Sequence, residues 1–108
     1  MRFIAFEQSL HLVSSLRPLM PRIKRWDAKL EDQIRRAATS VSLNLAEGSR
    51  RTGNDRTNRY RIAAGSAEEV RAGVRLCLEW GYLKESNCND LLEVLDRLLR
   101  LTHGLTKK

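Results

Sequence analysis

Between Asp27 and Gly48 the apolar side chains Leu30, Ile34, Ala37, Ala38, Val41 and Leu45 return every three or four residues. That spacing puts them on one face of an α-helix and is useless to a strand, whose side chains change face at every residue. Asp27 is a suitable N-cap ahead of the stripe and Gly48 a stop behind it. A helix with one apolar face must bury it against other elements, so the rest of the chain has to supply them.

It supplies three more amphipathic segments. Phe3, Phe6, Leu10, Val13 and Leu16 mark a first helix, which Pro18 and Pro21, the only prolines, are expected to stop. After a polar loop from Ser49 to Asn54, a third helix carries Tyr60, Ala63, Ala67, Val70, Val74, Cys77 and Leu78 on one face and ends near Gly81. Ser86 is the expected cap of a fourth, with Leu91, Val94, Leu95, Leu98, Leu99, Leu101 and Leu105. Short connections favour an all-α, antiparallel up-and-down four-helix bundle, a single domain over residues 1–108. No run of 18 uncharged apolar residues exists to cross a membrane. Cys77 and Cys88 lack metal-site spacing, and His11 and His103 do not complete one, so reduced thiols in a cytoplasmic protein are expected. No glycine-rich phosphate loop, triad or carboxylate cluster points to a cofactor, a metal or a catalytic centre.

On a helical wheel Gln33, Ser40, Asn44 and Glu47 flank the apolar stripe of the second helix. The third helix faces them with Gly65, Ser66 and Ala67, whose small side chains allow close approach, and with Glu69 nearby. This polar seam reads as a structural device that fixes register rather than as a catalytic site. An unpaired member would cost roughly 1–3 kcal/mol. A second apolar line on the third helix, Ile62, Gly73, Leu76 and Trp80, together with Leu43, exceeds what one core covers and predicts a subunit interface.

The formal charge of +7 invites a polyanion. An up-and-down bundle would gather Arg2, Arg50, Arg51, Arg56, Arg59, Lys107 and Lys108 at one pole against Glu47 and Asp55. The other pole mixes Arg22, Lys24 and Arg25 with Asp27, Glu31 and Asp32. Guanidinium forks match phosphate oxygens, so sequence-tolerant backbone contact with RNA or DNA is the expected role of the arginine pole. Only Tyr60 lies near that loop, so base stacking there is not expected.

The segment Gln33, Ile34, Arg35, Arg36, Ala37, Ala38, Ser40, Val41, Asn44, Leu45, Ala46, Glu47, Gly48 resembles a bacterial family, the four-helix-bundle proteins of 23S ribosomal RNA intervening sequences. That family includes the accessory variability determinant of diversity-generating retroelements. Its second motif is similar to Ile62, Ala63, Gly65, Ser66, Glu69 and Val70 followed by Gly81, Tyr82 and Leu83. The resemblance covers roughly residues 30–85, and its departures concentrate at a longer link, Pro18 to Lys29. It implies a non-enzymatic bundle assembled as a homopentamer, with basic surfaces for nucleic acid and, in the retroelement branch, a reverse transcriptase as partner.

Two other readings compete. Arg97 and His103 match the spacing of HEPN-type ribonucleases, in which an Arg and a His from paired subunits act on phosphate and 2′-hydroxyl, although Leu98 and the leucine-rich surroundings speak for core. A protein adaptor whose arginines never meet phosphate is the third.

Overall fold

The computed structural model describes residues 3–107, so Arg2 and Lys108 of the expected basic pole lie outside the described residues. The chain is all-α, with five helices where four are expected: α1 (Ile4–Leu16), α2 (Met20–Trp26), α3 (Ala28–Ser49), α4 (Gly53–Trp80) and α5 (Glu85–Thr106). The extra element is α2. Pro18 sits in the short turn after α1 as expected, but Pro21 falls in the first turn of α2, where a backbone N–H is not needed and the fixed φ suits a helix. Met20 and Ile23 then anchor α2 in the core.

Asp27 separates α2 from α3. Its extended backbone (φ −157°, ψ 90°) breaks the helix, and its Oδ1 accepts the Leu30 N–H at 3.0 Å, the cap expected of it. α3 continues one residue past Gly48, so the connection to α4 shrinks from the expected polar loop to Arg50–Thr52. Gly81, at φ +79°, closes α4 in the left-handed region, and the Tyr82 N–H returns to the Cys77 carbonyl at 2.8 Å. Ser86 does not cap α5. Lys84 holds that position, and its N–H donates to Asn87 Oδ1 at 3.4 Å.

Cross-helix pairs fix the direction of packing. Ile34 lies on Gly73 and Ser40 on Ser66, so numbering rises along α3 as it falls along α4. Glu68 meets His103, and Gln8 reaches Val94, which sets α5 between α4 and α1. Leu12, Ile34, Leu45, Val70, Leu95 and Leu98 fill the shared core. At about 1.5 Å per residue the 28-residue α4 accounts for the 42 Å long axis.

The first helix corrects the expected face in part: Leu16 is buried and Phe3 and Phe6 pack partly buried against the core, but Leu10 and Val13 are exposed, and the buried side is Ala5, Gln8, Ser9, Leu12 and Leu16. Two of these are polar, and both are satisfied: Gln8 Nε2 donates to the Val94 carbonyl at 3.2 Å, and Ser9 accepts from Ser42 at 2.8 Å while donating to the Phe6 carbonyl. A satisfied polar atom can be buried at little net cost.

Candidate nucleic-acid interface

The arginine pole is built on the close meeting of α3 and α4. Gly48 makes it possible: a Cβ there would come within 2.6 Å of Cε1 of Tyr60, so the ring rests on bare backbone. Arg56 Nε then donates to the Gly48 carbonyl at 3.3 Å. Arg51 clasps both sides of the turn, with Nε on Glu47 Oε1 at 3.0 Å and a terminal nitrogen on Asp55 Oδ2 at 3.3 Å. The Arg51 hydrogen bond, reinforced by its charge, holds the Glu47 carboxyl below its ordinary range, and the two carboxylates raise Arg51 in turn.

One turn further along, a polar chain runs across the α3–α4 seam. Arg59 donates to Asn44 Oδ1 at 3.3 Å, Asn44 Nδ2 donates to the Ser40 carbonyl and hydroxyl at 2.9 and 3.1 Å, and the Ser40 and Ser66 hydroxyls bond at 2.8 Å. Four expected seam and pole residues thus meet. Gln33 and Glu69 do not join the chain: they border a shallow depression with Leu30, Ile34, Gly73 and Leu76 at the other end of the helix pair. The expected close-approach strip is also displaced. Gly65 faces open space, and the glycines that a Cβ would force apart are Gly48 and Gly73. Gly73 therefore leaves the second apolar line, whereas Leu43, Ile62, Leu76 and Trp80 are all exposed.

Charge at the turn is unevenly answered. Residues 47–61 hold five arginines, Arg50, Arg51, Arg56, Arg59 and Arg61, against two carboxylates, Glu47 and Asp55. Both carboxylates are taken by Arg51, which leaves the other four arginines without an ion pair among the described residues. Lys107 borders an open groove between α4 and α5 with Glu68, Arg71, Asp96, Arg100 and His103.

In that groove His103 Nε2 lies 3.0 Å from Glu68 Oε2, and Arg71 also pairs with Glu68 at 2.6 Å. Arg97 is exposed and does not border it. Six residues at about 100° each turn Arg97 and His103 some 120° apart on α5, so one protomer does not bring them together. Among the described residues no group of three or more His, Cys, Asp or Glu is arranged to hold a metal, and no helix is long and apolar enough to cross a membrane.

Two clusters escape a reading of the sequence. Glu31 is a buried carboxylate on α3 whose one ion-pair partner among the described residues is Arg35, a turn away. At the far end of α4, Trp26, Tyr82 and Trp80 lie with near-parallel rings, centroids 6.1 and 6.4 Å apart in succession. No periodicity links these three, because α2 itself was not expected.

A crystal structure of a protein of unknown function from the S23 ribosomal protein family of Bacteroides thetaiotaomicron superposes with a TM-score of 0.84. The match covers 96% of this chain and 99% of that one, at 19% identity, a likeness of fold. Comparison with curated proteins gives no match. The family described as 23S rRNA-intervening sequence protein matches residues 3–104, nearly the whole chain, and so takes in both helices of the seam, the arginine turn and the aromatic corner. The chain belongs to the 23S rRNA-intervening sequence protein family.

Proposed function

We propose that this protein is a non-enzymatic, self-associating accessory protein that holds RNA or DNA by its phosphates at the α3–α4 turn. The observation that carries the reading is the excess of three positive charges over residues 47–61, five arginines against two carboxylates, with four of the guanidiniums outside any ion pair among the described residues. Guanidinium groups on a short turn and on the first turns of the long helix α4 are positioned without loop ordering, and each phosphate neutralised releases counterions. The polar chain from Arg59 to Ser66 supports one side of the site by holding that guanidinium in place.

The same reading takes α1 and α2 as one leg broken at Pro18, so that the five helices make an up-and-down four-helix bundle. Exposed Leu43, Ile62 and Leu76 then form the contact between copies, without the expected Trp80, whose ring lies nearly parallel to that of Tyr82 past the end of α4, since apolar area of this kind is seldom left in water. A ring of five is the assembly that the family resemblance suggests. Two free, buried thiols suit a reducing cytoplasm.

The test is fluorescence anisotropy of labelled structured RNA and duplex DNA over a salt series, against the native chain and a variant with Arg50, Arg51, Arg56 and Arg59 as Ala. Binding that weakens steeply with log salt and collapses in the variant is the expected result. Absence of binding near physiological salt would instead favour a protein adaptor. Sedimentation of the native chain beside Leu43→Glu and Leu76→Glu tests the contact between copies, which the two charges should break.

A further inference from the structure

The aromatic corner at the opposite end of α4 from the arginine turn has no part in the proposed phosphate contact. Trp26 ends α2, Trp80 ends α4, and Tyr82 lies between them just past Gly81. The ring planes of Trp26 and Tyr82 differ by 11°, and those of Trp80 and Tyr82 by 15°. The two outer residues, Trp26 and Trp80, are 64% and 69% exposed, so indole surface is open to solvent. The middle ring is fixed: the Tyr82 hydroxyl donates to Asp27 Oδ2 at 3.4 Å, and Asp27 is itself tied down by capping α3. Leaving so much indole in water is unfavourable, and here it is organised as a set of near-parallel planes rather than scattered.

The charges around the corner narrow the occupant. Residues 22–29 and 79–85 carry five cations, Arg22, Lys24, Arg25, Lys29 and Lys84, against the three carboxylates Asp27, Glu79 and Glu85. None of the eight is in an ion pair among the described residues. Asp27 already accepts from a backbone N–H and a phenol, which reduces its hold on a passing cation. A second copy presenting the same corner would set like charges face to face. Flat π surfaces beside unpaired cations suit a ligand that is both planar and polyanionic.

We infer that Trp26, Tyr82 and Trp80 form a stacking platform for unpaired bases of single-stranded nucleic acid, with Arg22, one turn before Trp26 on α2, and Lys84, which meets it at Asn87, on the flanking phosphates. Stacking on indole tolerates any base, because every base has a π face. Duplex nucleic acid hides its bases inside the stack and has nothing to lay on the platform. The platform shares its partner class with the arginine turn but none of its residues.

The chain has two tryptophans, and both are in the platform, so tryptophan emission, excited where tyrosine does not absorb, reports on this site alone. The experiment titrates the native protein with a short oligouridine and, separately, with a duplex RNA, following tryptophan quenching. Trp26→Ala, Trp80→Ala and the variant with Arg50, Arg51, Arg56 and Arg59 as Ala are titrated in parallel, with the two tryptophan variants also followed by anisotropy of labelled oligouridine. Both tryptophans are exposed, and unchanged helical circular dichroism confirms that each variant folds. The expected result is quenching by oligouridine and not by duplex, with affinity falling roughly tenfold on removal of either indole. Quenching should survive loss of the turn arginines, so that a failed arginine turn leaves this result standing, and the reverse. The inference is overturned by oligouridine that leaves the fluorescence unchanged, or by equal affinity in the alanine variants. A signal that changes with protein concentration alone, and is then insensitive to oligouridine, would also overturn it, assigning the corner to a second copy.

Discussion

Ile34 lies directly against Gly73: a Cβ built on that glycine would come within 2.6 Å of Cγ1 of the isoleucine, which is itself buried. The two backbones are this close because one of them carries no side chain. Gly73→Ala should therefore destabilise the fold by roughly 1–3 kcal/mol despite the better helix propensity of alanine, since Ile34 has no room to yield. Gly65, on the same helix, faces open space, and Gly65→Ala should stabilise by about 0.5–1 kcal/mol. Urea unfolding of the two variants decides between them by the sign of the change.

The buried face of α1 gives a second contrast. Leu12 is fully buried, whereas Leu10, two residues away, is 43% exposed. Leu12→Ala should cost about 2–5 kcal/mol by loss of transfer free energy and creation of a cavity. Leu10→Ala should stay within about 1 kcal/mol of the native chain. Equal losses in chemical denaturation would mean that α1 is rotated from the orientation described.

This contrast shows where the sequence is legible and where it misleads. Helices α3 and α5 follow from periodicity because each has a dominant apolar stripe, and α4 follows from its buried stripe even though Ile62, Leu76 and Trp80 form a second, exposed line on it. In α1 the expected stripe of Phe3, Phe6, Leu10, Val13 and Leu16 leaves the core at Leu10 and Val13, and Ala5 and Leu12 are buried instead beside Gln8 and Ser9, which find partners in α5 and α3. Those partners lie 86 and 33 residues away, and no local pattern encodes them. Pro21 misleads for a related reason: a proline that stops one helix also suits the first turn of the next, and only burial of Met20 and Ile23 decides between the two. At the candidate site the arginines can be counted from sequence, but not that Arg51 absorbs both nearby carboxylates and leaves the others without an ion pair among the described residues.

The thiols should be inert in the folded protein. Burial, then the charge of Asp27 and the neighbouring Cys88, pushes Cys77 up from 9.0 to about 11, and burial raises Cys88 as well. Thiol reagents at neutral pH should label neither cysteine until denaturant is added. The folded state holds the Cys77 proton more tightly than the unfolded chain does, so this contribution is complete below pH 9 and is lost as pH rises towards 11. Tyr82, also raised by its surroundings and by Asp27, adds a loss in the same direction. Thermal midpoints between pH 8 and 11 should fall for the native chain and fall less for Cys77→Ala.

The clasp of Arg51 on Glu47 makes a last prediction that joins stability to binding. Glu47 is held below its ordinary value of 4.5 chiefly by the Arg51 hydrogen bond and then by the Arg51 charge, with Arg59 and Arg50 adding to it. A carboxyl lowered in the folded state stabilises above its unfolded value and loses that contribution as pH falls through the folded one. In carbon-detected NMR titration, Arg51→Ala should move the Glu47 carboxyl back towards 4.5. Glu47→Gln works from the other side: it removes one of the two carboxylates that hold Arg51, leaving Asp55 at 3.3 Å. If the turn meets phosphate, that variant should bind duplex nucleic acid more tightly and steepen the slope of log affinity against log salt by up to about 1. An unchanged slope would mean that Arg51 serves only to join α3 to α4, and that the phosphate contact belongs to Arg50, Arg56 and Arg59 alone.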